Sequence, residues 1–324
     1  MLGNTILAFT FTNLLTNGAK LGLIFAIMTL GVHISFRILD TADLSIEGVF
    51  PLGGCVCALL IWSGVPALLA CLIAMLTGAI GGFITGILHT KLKIPMILSG
   101  IITMTALYSL NLMILGFSNN GGSLTRATLA INFKSTMFYP LTKLLVDWHV
   151  KGAIATMLSV LIIGALALAI VYAVIYYFFG TEIGMSIRAT GDNERMAKAQ
   201  GINTNSMKIV GLMISNALIA LAGALFAQNT GAANVASGRG MIVIGLASVI
   251  IGEVIFGRKA YSTQLVSLVV GTILYFMLRQ IAIELNLSEF LDIASAVLIV
   301  IILALPLIKR KIASKKELRR GSNA

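Results

Sequence analysis

Charge is scarce in this chain. Only 11% of its 324 residues are Asp, Glu, Lys or Arg, against roughly 25% in soluble domains. So few charges cannot cover a water-facing surface, which excludes a soluble globular protein. Cysteine and histidine are also scarce, with three of each. Cys55, Cys57 and Cys71 lie in apolar stretches. Cys-x-Cys can hold a metal or a redox pair, but no His or further Cys is near in sequence. The three thiols therefore read as small buried hydrophobes. No HExxH and no GxSxG is present, which leaves little for an intramembrane enzyme. The Gly-rich stretch from Asn229 to Gly240 has no Lys-Ser/Thr after it and no strand before it, so it is not a P-loop. Any nucleotide chemistry has to come from another polypeptide.

What is abundant is apolar sequence, at 58% of residues. It comes in long blocks rather than in amphipathic periods, which predicts an all-α membrane protein. A hydrocarbon core of ~30 Å needs about 20 apolar helical residues. Spans are expected over 19–36, 51–63, 65–90, 96–117, 152–179, 209–228, 241–256, 262–278 and 291–307. Residues 2–16 are short and hold several Thr and Asn. They read as a first short or surface-lying helix, broken from the next by Asn17-Gly18. The count is about nine spans, ten if residues 2–16 cross. The sequence suggests one membrane domain over residues 1–308 and a basic tail over 309–324. Neither a secretory leader nor a soluble domain is expected. The two halves hint at a duplicated membrane unit.

The formal net charge is +11, and its distribution argues against nucleic acid as the reason. Lys309, Arg310, Lys311, Lys315, Lys316, Arg319 and Arg320 crowd the tail. Arg188, Arg195, Lys198 and Lys208 crowd one central stretch, and Lys91, Lys93, Arg258 and Lys259 mark two short loops. If the spans alternate, these residues share a side, and the positive-inside rule makes it cytoplasmic. The tail then sits against anionic lipid headgroups.

The central stretch, residues 180–208, is the longest polar interruption between two apolar blocks. Asp192 or Asn193 can cap a helix start. Glu194 falls in its first turn, where negative charge is favoured. Residues 194–200 are good helix formers, and Gly201 stands where a left-handed stop is needed. This predicts a helix of about two turns, too short to stand alone. It is either an ordinary loop or a docking knob for a soluble subunit.

Elsewhere the polar residues are few enough to name. Arg37, Asp40, Asp43 and Glu47 lie between two apolar segments, just before Pro51 and Gly53-Gly54. Charges this dense do not face lipid, and unwound backbone at membrane depth occurs only inside protein or along a wet path. Asp43, Ser45 and Glu47 are therefore candidate path residues, together with Asn111 and Glu253. Interhelical hydrogen bonding is the alternative for Asn111. Snorkelling, or pairing with Arg258, is the favoured reading of Glu253. His33 reads as a hydrogen-bonded packing residue, with gating as the alternative. Gly78, Gly82 and Gly86, with Gly81 adjacent, predict a groove where another helix backbone comes close. Residues 118–150 read as an external segment. It has a turn at Asn119–Gly122, interface aromatics at Phe138, Tyr139 and Trp148, and a short surface helix near Leu141–Leu145.

The pattern Gly184, Arg188-Ala189, Asn193, Ala197, Gly201-Ile202-Asn203 resembles the coupling loop of ABC importer permeases. The similar families carry branched-chain amino acids, ribose or nucleosides. Many relatives have Pro after the Asn, where this chain has Glu194; both suit a first helical position. Thr41-Ala42-Asp43-Leu44-Ser45 with Gly48, Phe50 and Leu52-Gly53 is most similar to permeases of tryptophan/tyrosine importers. So is Gly245-Leu246-Ala247-Ser248 with Gly252-Glu253. The resemblance implies a transport subunit rather than an enzyme, in a prokaryotic cytoplasmic (inner) membrane. It implies a homodimer with a second permease copy, two ATPase subunits that carry ATP and Mg2+, and an external solute-binding protein. It also implies an ATPase-coupling surface made of Arg188, Asp192, Asn193, Glu194, Arg195, Met196, Ala197, Gln200 and Gly201. A nucleoside importer, or an ion-coupled secondary transporter using Asp40, Asp43, Glu47 or Glu253, is the alternative.

Overall fold

The computed structural model describes residues 2–118, 125–257, 261–284 and 300, with residues 2–16 described in backbone only. Helix α1 runs unbroken over Leu2–His33 and widens into a π-helical turn at Ile34–Ile38. The expected break at Asn17-Gly18, and with it a separate helix over 2–16, is therefore wrong. Gly18 serves packing instead: a Cβ there would sit 3.1 Å from the Cα of Met277. The expected turn at Asn119–Gly122, the pair Arg258 and Lys259, the span over 291–307 and the tail over 309–324 lie outside the described residues.

After a turn at Asp40, whose φ is 51°, comes α2 (Ile46–Trp62). It starts well before the expected position 51 and carries Pro51 inside. Proline has no N–H for the Glu47 carbonyl one turn back. Gly238 packs directly on that carbonyl. Then follow α3 (Ala67–Thr90), α4 (Met96–Gly116), a short strand β1 (Thr128–Ala130) and the surface helix α5 (Tyr139–Asp147). Helix α6 (Gly152–Phe178) leads to two short helices, α7 (Glu182–Asp192) and α8 (Glu194–Ala199). Helix α9 (Thr204–Thr230) ends at Gly231, whose φ of 74° stops it in the left-handed region. Strand β2 (Ala232–Asn234) pairs antiparallel with β1, Leu129 opposite Ala233. Helices α10 (Met241–Phe256) and α11 (Tyr261–Glu284) follow. Among the described residues, seven helices are long and apolar enough to cross a membrane, and α2 is a shorter apolar helix. The protein is an all-helical, multi-pass membrane protein.

The chain forms two compact units, one of residues 1–22 with 247 onwards, the other of residues 23–246. In the first, α10 and α11 touch through glycine: a Cβ on Gly252 would strike the Ser267 carbonyl, and one on Gly271 the Ser248 carbonyl. The second is built around α9. Gly78, Gly82 and Gly86 of α3 all face α9, at Asn216 with Ala220, at Leu212 with Met213, and at Ile209. The fourth, Gly81, points the other way, to Val49 and Leu107. On α2, Gly53 meets Ala220, and on α9 Gly223 meets the Phe50 carbonyl. Small residues at these crossings let backbones approach closely, and helices in lipid associate largely through such packing. Phe25, Phe50 and Phe226 pin α1, α2 and α9 together, with ring centroids 5.4 to 5.6 Å apart. Leu76, Ile80, Leu166, Ile170 and Val174 are exposed on the outer faces of α3 and α6, as lipid-facing side chains should be.

The segment after α4 is more protein-bound than expected. Phe138 is fully buried rather than interfacial, while Trp148 is 72% exposed. Helix α5 docks on α6 through Thr142, whose hydroxyl lies 2.7 Å from that of Ser159. Gln228 of α9 holds this side together. Its Oε1 accepts from the Met137 amide at 2.8 Å, and its Nε2 donates to the sulfurs of Cys57 and Cys71 at 3.3 and 3.0 Å. His33 is buried, but neither ring nitrogen has a hydrogen-bond partner among the described residues, so the hydrogen-bonded reading of it fails.

Candidate functional site

Three features of the second unit carry the residues singled out from sequence. The first is the pair α7 and α8. Thr181 caps α7, accepting from the Gly184 amide at 3.3 Å. Asn193, not Asp192, caps α8, accepting from the Met196 amide at 3.0 Å. Gly201, with a φ of 83°, ends it. Glu194 in the first turn pairs with Lys198 at 2.9 Å and with Lys208 at 2.8 Å, and accepts from the Thr204 hydroxyl at 3.3 Å. The two ammonium groups pull its carboxyl well below the usual range, to about 2. One acid thus ties the start of α8 to the start of α9.

The faces of α8 are sharply divided. Ala197 is fully buried, while Met196 is 45% exposed and Arg195, Ala199 and Gln200 are exposed around it. Ala197 therefore belongs to the packed face, not to an outer surface. Asp192 is exposed, and a Cβ on Gly201 would meet no described atom within 4 Å. Arg188 is half-buried with its guanidinium 5.3 Å from the Phe179 ring centre. Gly191 at the end of α7 lies so close to the Ile38 carbonyl and Leu39 that a Cβ would not fit. The pair α7–α8 therefore rests on the end of the π-helical turn that follows α1.

The second feature is the connection from that turn to α2. The Thr41 amide and hydroxyl both donate to the Ser35 carbonyl, at 2.9 and 3.0 Å. Asp43 is fully buried. One of its oxygens accepts from the Ser45 amide at 2.8 Å and the other from the Asn216 side chain at 2.9 Å. The Asn216 Nδ2 also donates to the Leu212 carbonyl at 3.1 Å, and the Ser45 hydroxyl reaches Asn216 Oδ1 at 3.4 Å. Asp43 and Ser45 are thus spent on fastening the start of α2 to the middle of α9. A cavity of about 490 Å3 lies between this connection and the short helices, bordered by Asp40, Thr41, His89, Gly191, Glu194 and Lys208.

The third feature is a cavity of about 300 Å3 beside the first turn of α2. Glu47 and Asn111 both line it, as do Met104, Tyr108 and Arg239. Glu47 Oε1 accepts from the Gly240 amide at 3.0 Å. Asn111 Nδ2 donates to the Gly48 carbonyl at 3.1 Å, and its Oδ1 is buried with no partner among the described residues. Sequence reasoning missed Arg239 and Tyr108. Nothing in their local pattern separates an exposed loop arginine, or a helix tyrosine, from one that borders a cavity. Glu253 is half-buried near the end of α10, in the other unit.

Lipid-exposed helices, with two cavities beside the connection into α2 that mix apolar walls with a few charged and polar side chains, suit a membrane transport subunit. Residues 14–306 match the family described as branched-chain amino acid transport system / permease component. The chain belongs to this family of ABC-type importer permeases. It is 37% identical to a tyrosine transport system permease protein of Clostridioides difficile, over 87% of this chain and 88% of that one. It is 27% identical to an uncharacterized protein of Rickettsia prowazekii, over 92% of this chain and 99% of that one. With an autoinducer 2 import system permease protein of Yersinia pseudotuberculosis it shares 29% identity, over 57% of this chain and 46% of that one. No solved structure matches.

Proposed function

We propose that this chain is the permease of an importer for an amino acid of the tyrosine or tryptophan class, delivered by an external binding protein. The observation that carries this is the 37% identity to a tyrosine transport permease along 87% of the chain. Residues 1–308 make up the membrane domain of about nine spans, and residues 118–150 its external segment. It sits in the cytoplasmic membrane of a prokaryote and pairs with a second copy of itself. The end carrying α7 and α8 faces the cytoplasm, and the basic tail (309–324) is cytoplasmic too, as the positive-inside rule favours. The chain binds no cofactor of its own, and ATP with Mg2+ sits on two partner ATPase subunits.

In this reading α8 is the coupling helix and residues 180–208 are the coupling loop. Arg195, Met196 and Gln200 project towards the ATPase, with Arg188, Asp192, Asn193, Glu194, Ala197 and Gly201 holding the shape behind them. The exposed Met196 supports this, because a flexible apolar side chain in water suits a groove on a partner. A push on α8 passes through α7 to Ile38 and Leu39, where Gly191 seats. From there it reaches Asp43 and the start of α2. The two end states differ in how that connection packs, and nucleotide shifts their populations by binding the ATPase pair differently in each. The test replaces residues 193–200 with a flexible linker and measures ATP hydrolysis and uptake in proteoliposomes of the full complex. Hydrolysis without uptake is expected. Uptake coupled as in the wild type refutes the assignment.

A further inference from the structure

The cavity beside α2 has a chemistry that the family match does not specify. It puts one acid, Glu47, and one base, Arg239, on the same small space, and neither forms an ion pair among the described residues. Two opposite charges in one cavity would ordinarily neutralise each other; held apart, they suit a guest that carries both signs. Glu47 spends one oxygen on the Gly240 amide and has the other to offer. The guanidinium of Arg239 is a planar fork that matches a carboxylate. Asn111 adds a buried acceptor, its Oδ1, which has no partner among the described residues. An unsatisfied buried acceptor is costly unless a ligand supplies the donor. The remaining wall, with Tyr108, Met104 and Pro51, is apolar and aromatic, and a thioether and a phenol ring both pack well on an aromatic guest.

We propose that this cavity is a transit subsite for a zwitterionic amino acid. Arg239 takes its carboxylate, Glu47 and Asn111 Oδ1 take its ammonium, and Tyr108 with Met104 borders an aromatic side chain. The proposal rests on the amino-acid-importer reading above and deepens it. Its position also fits a path, since the first turn of α2 and the middle of α4 border it. Small-solute sites have this form of apolar walls with a few placed polar groups.

The test uses the purified full chain in lipid nanodiscs. Binding of L-tyrosine is measured beside tyramine, which lacks the carboxylate, and 3-(4-hydroxyphenyl)propanoate, which lacks the ammonium. L-Tyrosine should bind more tightly than either. Arg239→Gln should weaken L-tyrosine about tenfold or more, the effect of one charge-assisted contact, and leave tyramine unchanged. Glu47→Gln should weaken L-tyrosine and leave the propanoate unchanged, and Arg239→Lys should recover part of the loss. Glutamine keeps an acceptor for the Gly240 amide, so Glu47→Gln does not remove that structural bond. Wild-type affinity in both Gln variants overturns the subsite, as does equal binding of all three probes or no binding at all. Uptake of L-tyrosine by cells carrying the whole transporter separates the two ideas. If uptake persists in any of those cases, the importer reading stands and the subsite falls. If cells take up only a neutral solute such as ribose, both fall.

Discussion

Asp43 offers the sharpest test of how the membrane unit is fastened. Both of its oxygens accept hydrogen bonds in a fully buried place, from the Ser45 amide at 2.8 Å and from Asn216 Nδ2 at 2.9 Å. Asp43→Asn keeps the shape but turns one acceptor into a donor. One of the two donors is then left facing an N–H group, at a cost of about 1–3 kcal/mol. Asp43→Ala strands both donors and should cost about twice as much. Asn216 cannot simply turn over, because its Nδ2 also donates to the Leu212 carbonyl. The exchange Asp43→Asn with Asn216→Asp puts a donor and an acceptor face to face again. It should recover part but not all of the single-variant loss, because the new carboxylate cannot donate to the Leu212 carbonyl, and such a coupling is what a double-mutant cycle measures. The assay is unfolding by SDS titration of the purified chain in mixed micelles. If both single variants unfold with the wild type, to within about 0.5 kcal/mol, the connection is not held by this residue and the route from α8 to α2 loses its middle link.

Glycine packing offers a paired comparison. Gly223→Ala puts a methyl group against the Phe50 carbonyl, whereas one on Gly164 meets only Leu23 Cβ at an ordinary 3.7 Å. Gly223→Ala should cost about 1–3 kcal/mol or more and Gly164→Ala almost nothing; equal effects by SDS titration refute the close-approach reading. Glu194 should give a pH signature. Its carboxyl is held down at about 2 by Lys198 and Lys208, below the unfolded value of about 4.3. The stabilisation is therefore present above about pH 4.3 and is lost as pH falls towards 2. Because the side chain is 37% exposed, the effect should stay below about 1 kcal/mol. Glu194→Gln should be slightly less stable than the wild type at about pH 6, and the gap should close towards about pH 3. A gap that does not change with pH rejects the ion pairs as its source.

Local chemistry determined much of this protein from sequence alone. The long, non-alternating apolar blocks had to be helices, because a helix satisfies all backbone polar groups in lipid within one segment. A cap at Asp192 or Asn193 and the stop at Gly201 were readable because both act within one turn of chain. The spacing of Gly78, Gly82 and Gly86 showed a contact face, since four residues bring side chains back to the same side of a helix. Where a local rule met a distant neighbour, the neighbour won. Gly18 looked like a break, yet it sits inside α1 because Met277, far along the chain, needs the space. Glu47 and Asn111 could be suspected singly, but only the fold sets them around one cavity with Arg239. Asp43 could be noticed as a charge among apolar residues. That it meets Asn216, 173 positions later, was decided by α2 packing on α9. No periodicity in a sequence records which helix lies next to which, and in this membrane bundle that adjacency makes both the fastening and the cavity.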